Sequence, residues 1–135
     1  YQGGDWKAAG YKLGLSLHYL TDLTQPMHAA NFTWLDSQNF GYHTGFERYV
    51  KRILARIEPP SVYNPLLNAT TPQAFFHETA RHSKDNYYDL IVKPEWTEHY
   101  DDAAQTDAVW KARVRAIIPA ILGDAVQMTA QFLVM

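Results

Sequence analysis

Three of the six histidines fall within one stretch, "SLHYLTDLTQPMHAANFTWLDSQNFGYHTGFE", residues 16–47, together with two carboxylates at helical offsets. His18 and Asp22 stand four residues apart, which on a helix puts both side chains on one face, one turn from each other. His43 and Glu47 repeat that arrangement, and His28 lies between the pairs, shortly after Pro26, which fixes a turn. Zinc takes imidazole nitrogens and carboxylate oxygens at about 2.0–2.2 Å, so such a pair can clamp one ion from one helix. His18, Asp22, His28, His43 and Glu47 are thus five candidate metal ligands. Water and the phosphate oxygens of a substrate would fill any open position. The same spacing also describes two surface ion pairs on a histidine-rich helical hairpin, and spacing alone leaves both readings open.

The remaining histidines, His77, His82 and His99, have no carboxylate at a matching offset. His77 and His82 are five apart and do not share an α-helical face. They read as surface or capping histidines, and as reserve ligands if the site has been rebuilt. Glu78 reads as a solvated helix residue.

These residues must be positioned by helices, because the hydrophobic period is helical nearly throughout. Asp5 is an N-cap for a first helix over about 6–23. One stripe of that helix is Ala9, Leu13, Leu17 and Leu20, and a second is Tyr11, Leu15, His18 and Asp22. Pro26 forbids its regular continuation. A loop is expected over about 25–42, then a second helix over about 44–57 with Phe46, Val50, Ile53, Leu54 and Ile57 inward, stopped by Pro59 and Pro60. "SVYNPLLNATTP" reads as a linking loop. Thr71 followed by Pro72 starts a third helix running to about residue 90. "PEWTEHY" is short enough for a turn or two. Trp110, Val114, Ile117, Ile121, Ala125, Met128 and Phe132 mark a long final amphipathic helix with a kink expected near Pro119, and Trp110 belongs to its core face. Period-two alternation is absent, so the class is all-α, a single domain over residues 1–135.

Composition narrows the chemistry. At 135 residues and 47% hydrophobic content the chain can bury a core of its own. The formal charge is −2, with no basic block, which argues against a duplex nucleic-acid partner. There is no cysteine, which excludes disulfides and thiolate metal sites and leaves His and carboxylates as the ligands. No apolar run approaches about 18 residues, so no membrane span is expected. No signal peptide is visible, and the opening "YQGGDWKAAG" reads as a processed or cut start.

The order of residues adds what spacing does not. His-Tyr-x-x-Asp, then Pro-x-His-x-Ala-Asn, then His-x-x-x-Glu, as they stand in "SLHYLTDLTQPMHAANFT" and "GYHTGFERYV", closely resemble the bacterial zinc-dependent phospholipases C, whose fold is shared with the P1/S1 nucleases. The resemblance extends more weakly through "TPQAFFHETARHSKDNY" and the final helix, and so covers essentially the whole chain. It implies the C-terminal portion of that multi-helix fold and up to three zinc ions. His28, His43 and Glu47 match the full protein ligand set of one ion. His18 and Asp22 match ligands of the other two, with Asp22 bridging them on the catalytic, paired-metal side. The family's other ligands, an N-terminal Trp, a His, and a further Asp and His, lie in an N-terminal half that has no counterpart here, and Tyr1 does not match that Trp.

The activity so implied is hydrolysis of phospholipid phosphodiesters, with metal-bound hydroxide attacking phosphorus. Two alternatives stand beside it: a single-strand nuclease of the P1 type, and a non-catalytic zinc-stabilised helical domain. Glu47 and the "DSQNFGYH" loop favour the phospholipase branch. Trp34 and Phe40 on that loop could stack a base or touch acyl chains, but packing is the commoner role. The resemblance also implies secretion, possible peripheral membrane contact, and weak catalysis by this chain alone. Half of a fold would expose the apolar surface its other half covers, so a partner chain or self-association is expected. Asn31–Thr33 and Asn68–Thr70 match the glycosylation pattern, which matters only for a eukaryotic secretory source.

Overall fold

A computed structural model describes residues 4–31, 42–58, 64–92 and 108–135, and these carry helices and no strand. The helix α1 spans Trp6–Thr24, with the Asp5 side chain accepting from the Ala8 N–H at 2.9 Å as the N-cap predicts. Pro26 ends it without opening a plain loop. The chain turns at Gln25 and starts a second short helix, α2, Pro26–Ala29, with the proline at its first position. The expected loop over 25–42 therefore begins with a helical turn. Helix α3 spans Tyr42–Ile53, two residues earlier than expected, and tightens into a 3₁₀ turn over Leu54–Arg56.

Thr71 and Pro72 open α4, Pro72–Ser83, as read from the sequence, with Thr71 accepting from the Ala74 N–H at 3.2 Å. The helix predicted to run to about residue 90 does so without a break to Ile91, as α4, a π-helical turn over Lys84–Tyr88, and α5, Asp89–Ile91. The last helix, α6, spans Ala108–Val134 and continues through Pro119. The Pro59–Pro60 stop and "PEWTEHY" lie outside the described residues.

Two apolar clusters share α6 as their axis. Trp110, Val114, Ile118 and Ile121 pack with Met27 of α2, Phe46, Tyr49 and Ile53 of α3, and Ile91 of α5. About two turns further on, Met128 packs with Leu20 of α1, Phe75 of α4 and Leu67. Trp110 is 1% exposed, the core residue its stripe predicted.

Three expectations do not hold, two of them about helix faces. Leu13 is exposed, because the N-terminal half of α1 extends past the elements that bury Leu20 at its other end. Leu54 is exposed because the 3₁₀ turn shifts it off the α-helical face. Third, α6 is long and apolar enough to cross a membrane by length and composition, against the expectation that no segment is. Its residues carry both clusters, and it holds polar side chains at core positions. Gln127 Oε1 accepts from the Asn64 N–H at 2.7 Å, and Gln131 Oε1 from the Leu66 and Leu67 N–H groups at 3.1 and 3.2 Å. Segment 64–70 has no regular structure of its own, so these glutamines satisfy its backbone donors.

Candidate metal centre

Helix α1 carries His18 and Asp22 near its end, with His18 Nε2 3.5 Å from Asp22 Oδ2. The helical path then breaks at one extended residue, Gln25. The Gln25 N–H donates to the Asp22 carbonyl, closing α1, while Gln25 Oε1 accepts from the N–H groups of Met27 and His28, opening α2. This turn points His28 toward α3, where His43 and Glu47 sit one turn apart. The His28 and His43 rings meet edge to face, with centroids 4.5 Å apart.

Three atoms converge there. His43 Nε2 lies 3.1 Å from His28 Nε2 and 2.9 Å from Glu47 Oε1, and His28 Nε2 lies 3.6 Å from Glu47 Oε1. The circle through these atoms has a radius of about 1.9 Å, so a point about 2.0–2.1 Å from all three exists just out of their plane. Three corners of a tetrahedron around zinc have that arrangement. His28, His43 and Glu47 fit a metal ion, and they form a group that could hold one. His43 is buried, His28 half-buried and Glu47 exposed, so the group faces outward on its carboxylate side.

The five sequence-predicted ligands are not one cluster. Asp22, Gln25, His28 and Glu47 line a common cleft of about 370 Å³, with Phe46 and Ile121 in its wall. Asp22 thus opens on the same space as the triad. His18 does not line the cleft; it stands one turn back along α1, exposed and paired with Asp22. No third ligand joins this pair among the described residues. Among the described residues, the cleft lining carries two carboxylates, Asp22 and Glu47, and no lysine or arginine.

A second polar cluster was invisible in the sequence. His82 Nε2 lies 2.7 Å from Asp124 Oδ2, and the Tyr87 hydroxyl donates to the same oxygen. His82 was read as partnerless; its partner comes from α6, 42 residues away. Residues five apart do not share an α-helical face, but His82 and Tyr87 meet one acceptor because the intervening turn is π-helical and brings i and i+5 together. Burial, then the hydrogen bond to Asp124, then its charge, push the Tyr87 hydroxyl well above the ordinary tyrosine range and hold it as a donor. Burial also raises Tyr88, with the Asp89 charge second. His77 is exposed, as expected, and Glu78 is half-buried rather than fully solvated. His99, Trp34 and Phe40 lie outside the described residues.

No family model and no solved structure matches the chain. Curated relatives do. The chain is 36% identical to a protein of Bacillus cereus named phospholipase C, the match covering 98% of this chain and 48% of the relative. It is 33% identical to a phospholipase C of Listeria monocytogenes, covering 98% of this chain and 45% of the relative. A shorter match, 41% identical over 51 residues, joins 38% of the chain to a phospholipase C of Paraclostridium bifermentans. The chain spans about half the length of the first two relatives, which agrees with the C-terminal half read from the sequence. This all-α chain is a homologue of the bacterial proteins named phospholipase C, and it corresponds to about half of one.

Proposed function

We propose that this chain carries one side of a zinc-dependent phosphodiesterase of the phospholipase C type, acting on phospholipids. The observation that supports it most is the convergence of His28 Nε2, His43 Nε2 and Glu47 Oε1 at separations suited to one tetrahedral ion. Among the described residues three ligands meet, two of them, His28 and Glu47, on the wall of a cleft; three protein ligands with an open fourth position is the pattern of a catalytic zinc, whereas a structural zinc is closed by four. This favours the enzyme over a purely structural metal domain.

Electrostatics points the same way. A cleft whose described lining holds Asp22 and Glu47 and neither lysine nor arginine repels a phosphodiester anion. A phosphate enters only if cations reverse that field. Bound zinc supplies that charge and the Lewis acidity that draws electron density from the phosphoryl oxygens. The chain's own residues do the rest. His43, buried against His28, holds its ring orientation; Glu47 supplies the anionic ligand; Asp22 offers a carboxylate across the cleft; and Phe46 and Ile121 keep one wall dry. His18 and Asp22 serve a neighbouring ion pair whose remaining ligands come from outside this chain.

That requirement gives the proposal a partner. Leu54, Ile57, Leu122, Val126, Ala130 and Leu133 line an apolar groove of about 540 Å³. It adjoins the metal cleft, the two sharing Thr21, Leu122 and Ala125. Its proposed occupant is the remainder of the phospholipase C fold, in the same longer protein or as a separate chain. Secretion, implied by the resemblance, belongs to the same proposal.

The test is metal content followed by substrate. Purified chain should bind about one zinc, and His43→Ala should abolish that binding. Alone it should hydrolyse phosphatidylcholine weakly; supplied with the N-terminal half of a relative it should gain turnover on phosphatidylcholine and not on single-stranded DNA. Failure to bind zinc at micromolar concentration would sink the proposal.

A further inference from the structure

The geometry points to Gln25 as a positioning residue for the metal ligand His28, acting with Ser83, which braces the same turn from α4. This rests on the zinc reading above and adds to it two residues that touch no ion.

The turn between α1 and α2 sets the direction of the chain from Asp22 to His28. Two side chains hold it. Gln25 Oε1 accepts from the Met27 N–H at 2.5 Å and the His28 N–H at 3.2 Å. One of those donors is the backbone nitrogen of the ligand residue itself. With Oε1 satisfying two N–H groups, the orientation of the amide is set. Its Nε2 is buried with no partner among the described residues, so the side chain is held there for its oxygen. From the other side, the Ser83 hydroxyl donates to the Thr24 carbonyl at 2.7 Å. Ser83 and Thr24 are both buried, and they lie 59 residues apart in sequence, so this bond ties the turn to the body of the fold.

The physical consequence is preorganisation. Helix α2 is only four residues long and has little stability of its own. Without the Gln25 cap its first donors go unsatisfied, and the direction of His28 loosens relative to His43 and Glu47. A metal site tolerates such loosening poorly, because ligand distances are fixed to within about 0.2 Å. Groups that orient a ligand without touching the ion typically change metal affinity 10–100-fold.

The test measures zinc affinity by competition with a chromogenic chelator, the cobalt(II) absorption spectrum as a signature of four-coordinate geometry, and thermal melting of the metal-free chain. Gln25→Ala should bind zinc at least about 10-fold more weakly and shift the cobalt spectrum, while the metal-free chain still melts cooperatively, lowered only by the loss of one N-cap. Gln25→Ser restores a common N-cap oxygen and should recover affinity to within about three-fold of wild type. Ser83→Ala should weaken zinc in the same direction. Wild-type affinity in Gln25→Ala overturns the inference, and so does a Gln25→Ser variant as weak as Gln25→Ala. If Gln25→Ala does not fold, unchanged zinc affinity in Ser83→Ala overturns it. If wild-type chain binds no zinc, the zinc reading itself falls. If zinc binding is lost in His43→Ala but unchanged in both positioning variants, only the present inference falls.

Discussion

Each residue of the candidate triad is held by a different constraint. His43 is buried in packing, His28 hangs on a capped turn, and Glu47 is exposed, fixed by its helix and its contact with His43. Replacing Glu47 by Gln keeps shape and removes the anionic ligand, so zinc affinity should fall at least about ten-fold in the chelator competition, with unchanged helicity by circular dichroism. Tyr87 gives a prediction with a sign. Its proton is bound more tightly in the folded chain than in the unfolded one. Above about pH 10 the unfolded state releases it first, so the native state holds more protons and stability falls as pH rises. The Tyr87 contribution is fully present below that value and is lost above it. Tyr87→Phe should therefore flatten the alkaline decline of the denaturation midpoint; an unchanged decline would refute the assignment. The triad residues could be read from the sequence because they are close along the chain and ordered as in a known family. The His82–Asp124 pair could not, because it joins two helices distant in sequence and depends on a π-helical turn that α-helical spacing rules do not contain.

At the scale of elements, α6 decides most of the fold. Its stripe from Trp110 to Phe132 was legible from period alone, and both apolar clusters form along it. Trp110→Ala should cost about 3–5 kcal/mol in chemical denaturation, the range for truncating a large buried aromatic. The same stripe gave no sign that Gln127 and Gln131 would be buried, since amphipathic patterning assigns glutamine to solvent. They are buried because segment 64–70 brings unpaired N–H groups against them. Gln131→Leu, though more apolar, should destabilise by about 1–3 kcal/mol by leaving the Leu66 and Leu67 donors buried and unsatisfied. A neutral or stabilising effect would show that water reaches those groups. Helix ends set by capping chemistry, at Asp5 and Thr71, matched their sequence signals. The turn at Gln25 was missed because a proline that ends one helix can also begin the next.

For the whole molecule, the groove beside the metal cleft sets solution behaviour. An exposed apolar channel of about 540 Å³ on a 15.5 kDa chain favours association. Sedimentation velocity should show self-association at micromolar concentration, relieved by Leu133→Glu on the groove wall; a monodisperse wild-type monomer would count against the half-fold reading. The convergence of His28 and His43 has one more consequence, for the thermodynamics of the chain. These histidines are 15 residues apart, so an ion shared between them would close a loop in a chain that has no cysteine to close one. In chain-entropy terms a cross-link of that span is worth about 3 kcal/mol, the scale of a disulfide. His43 and Glu47 sit on one helical turn and close nothing, so the whole of this cross-link depends on His28. Zinc would then act as a reversible staple, and a His28→Ala chain could keep a weak ion on the other two ligands while losing the rise in melting temperature that zinc gives the wild type.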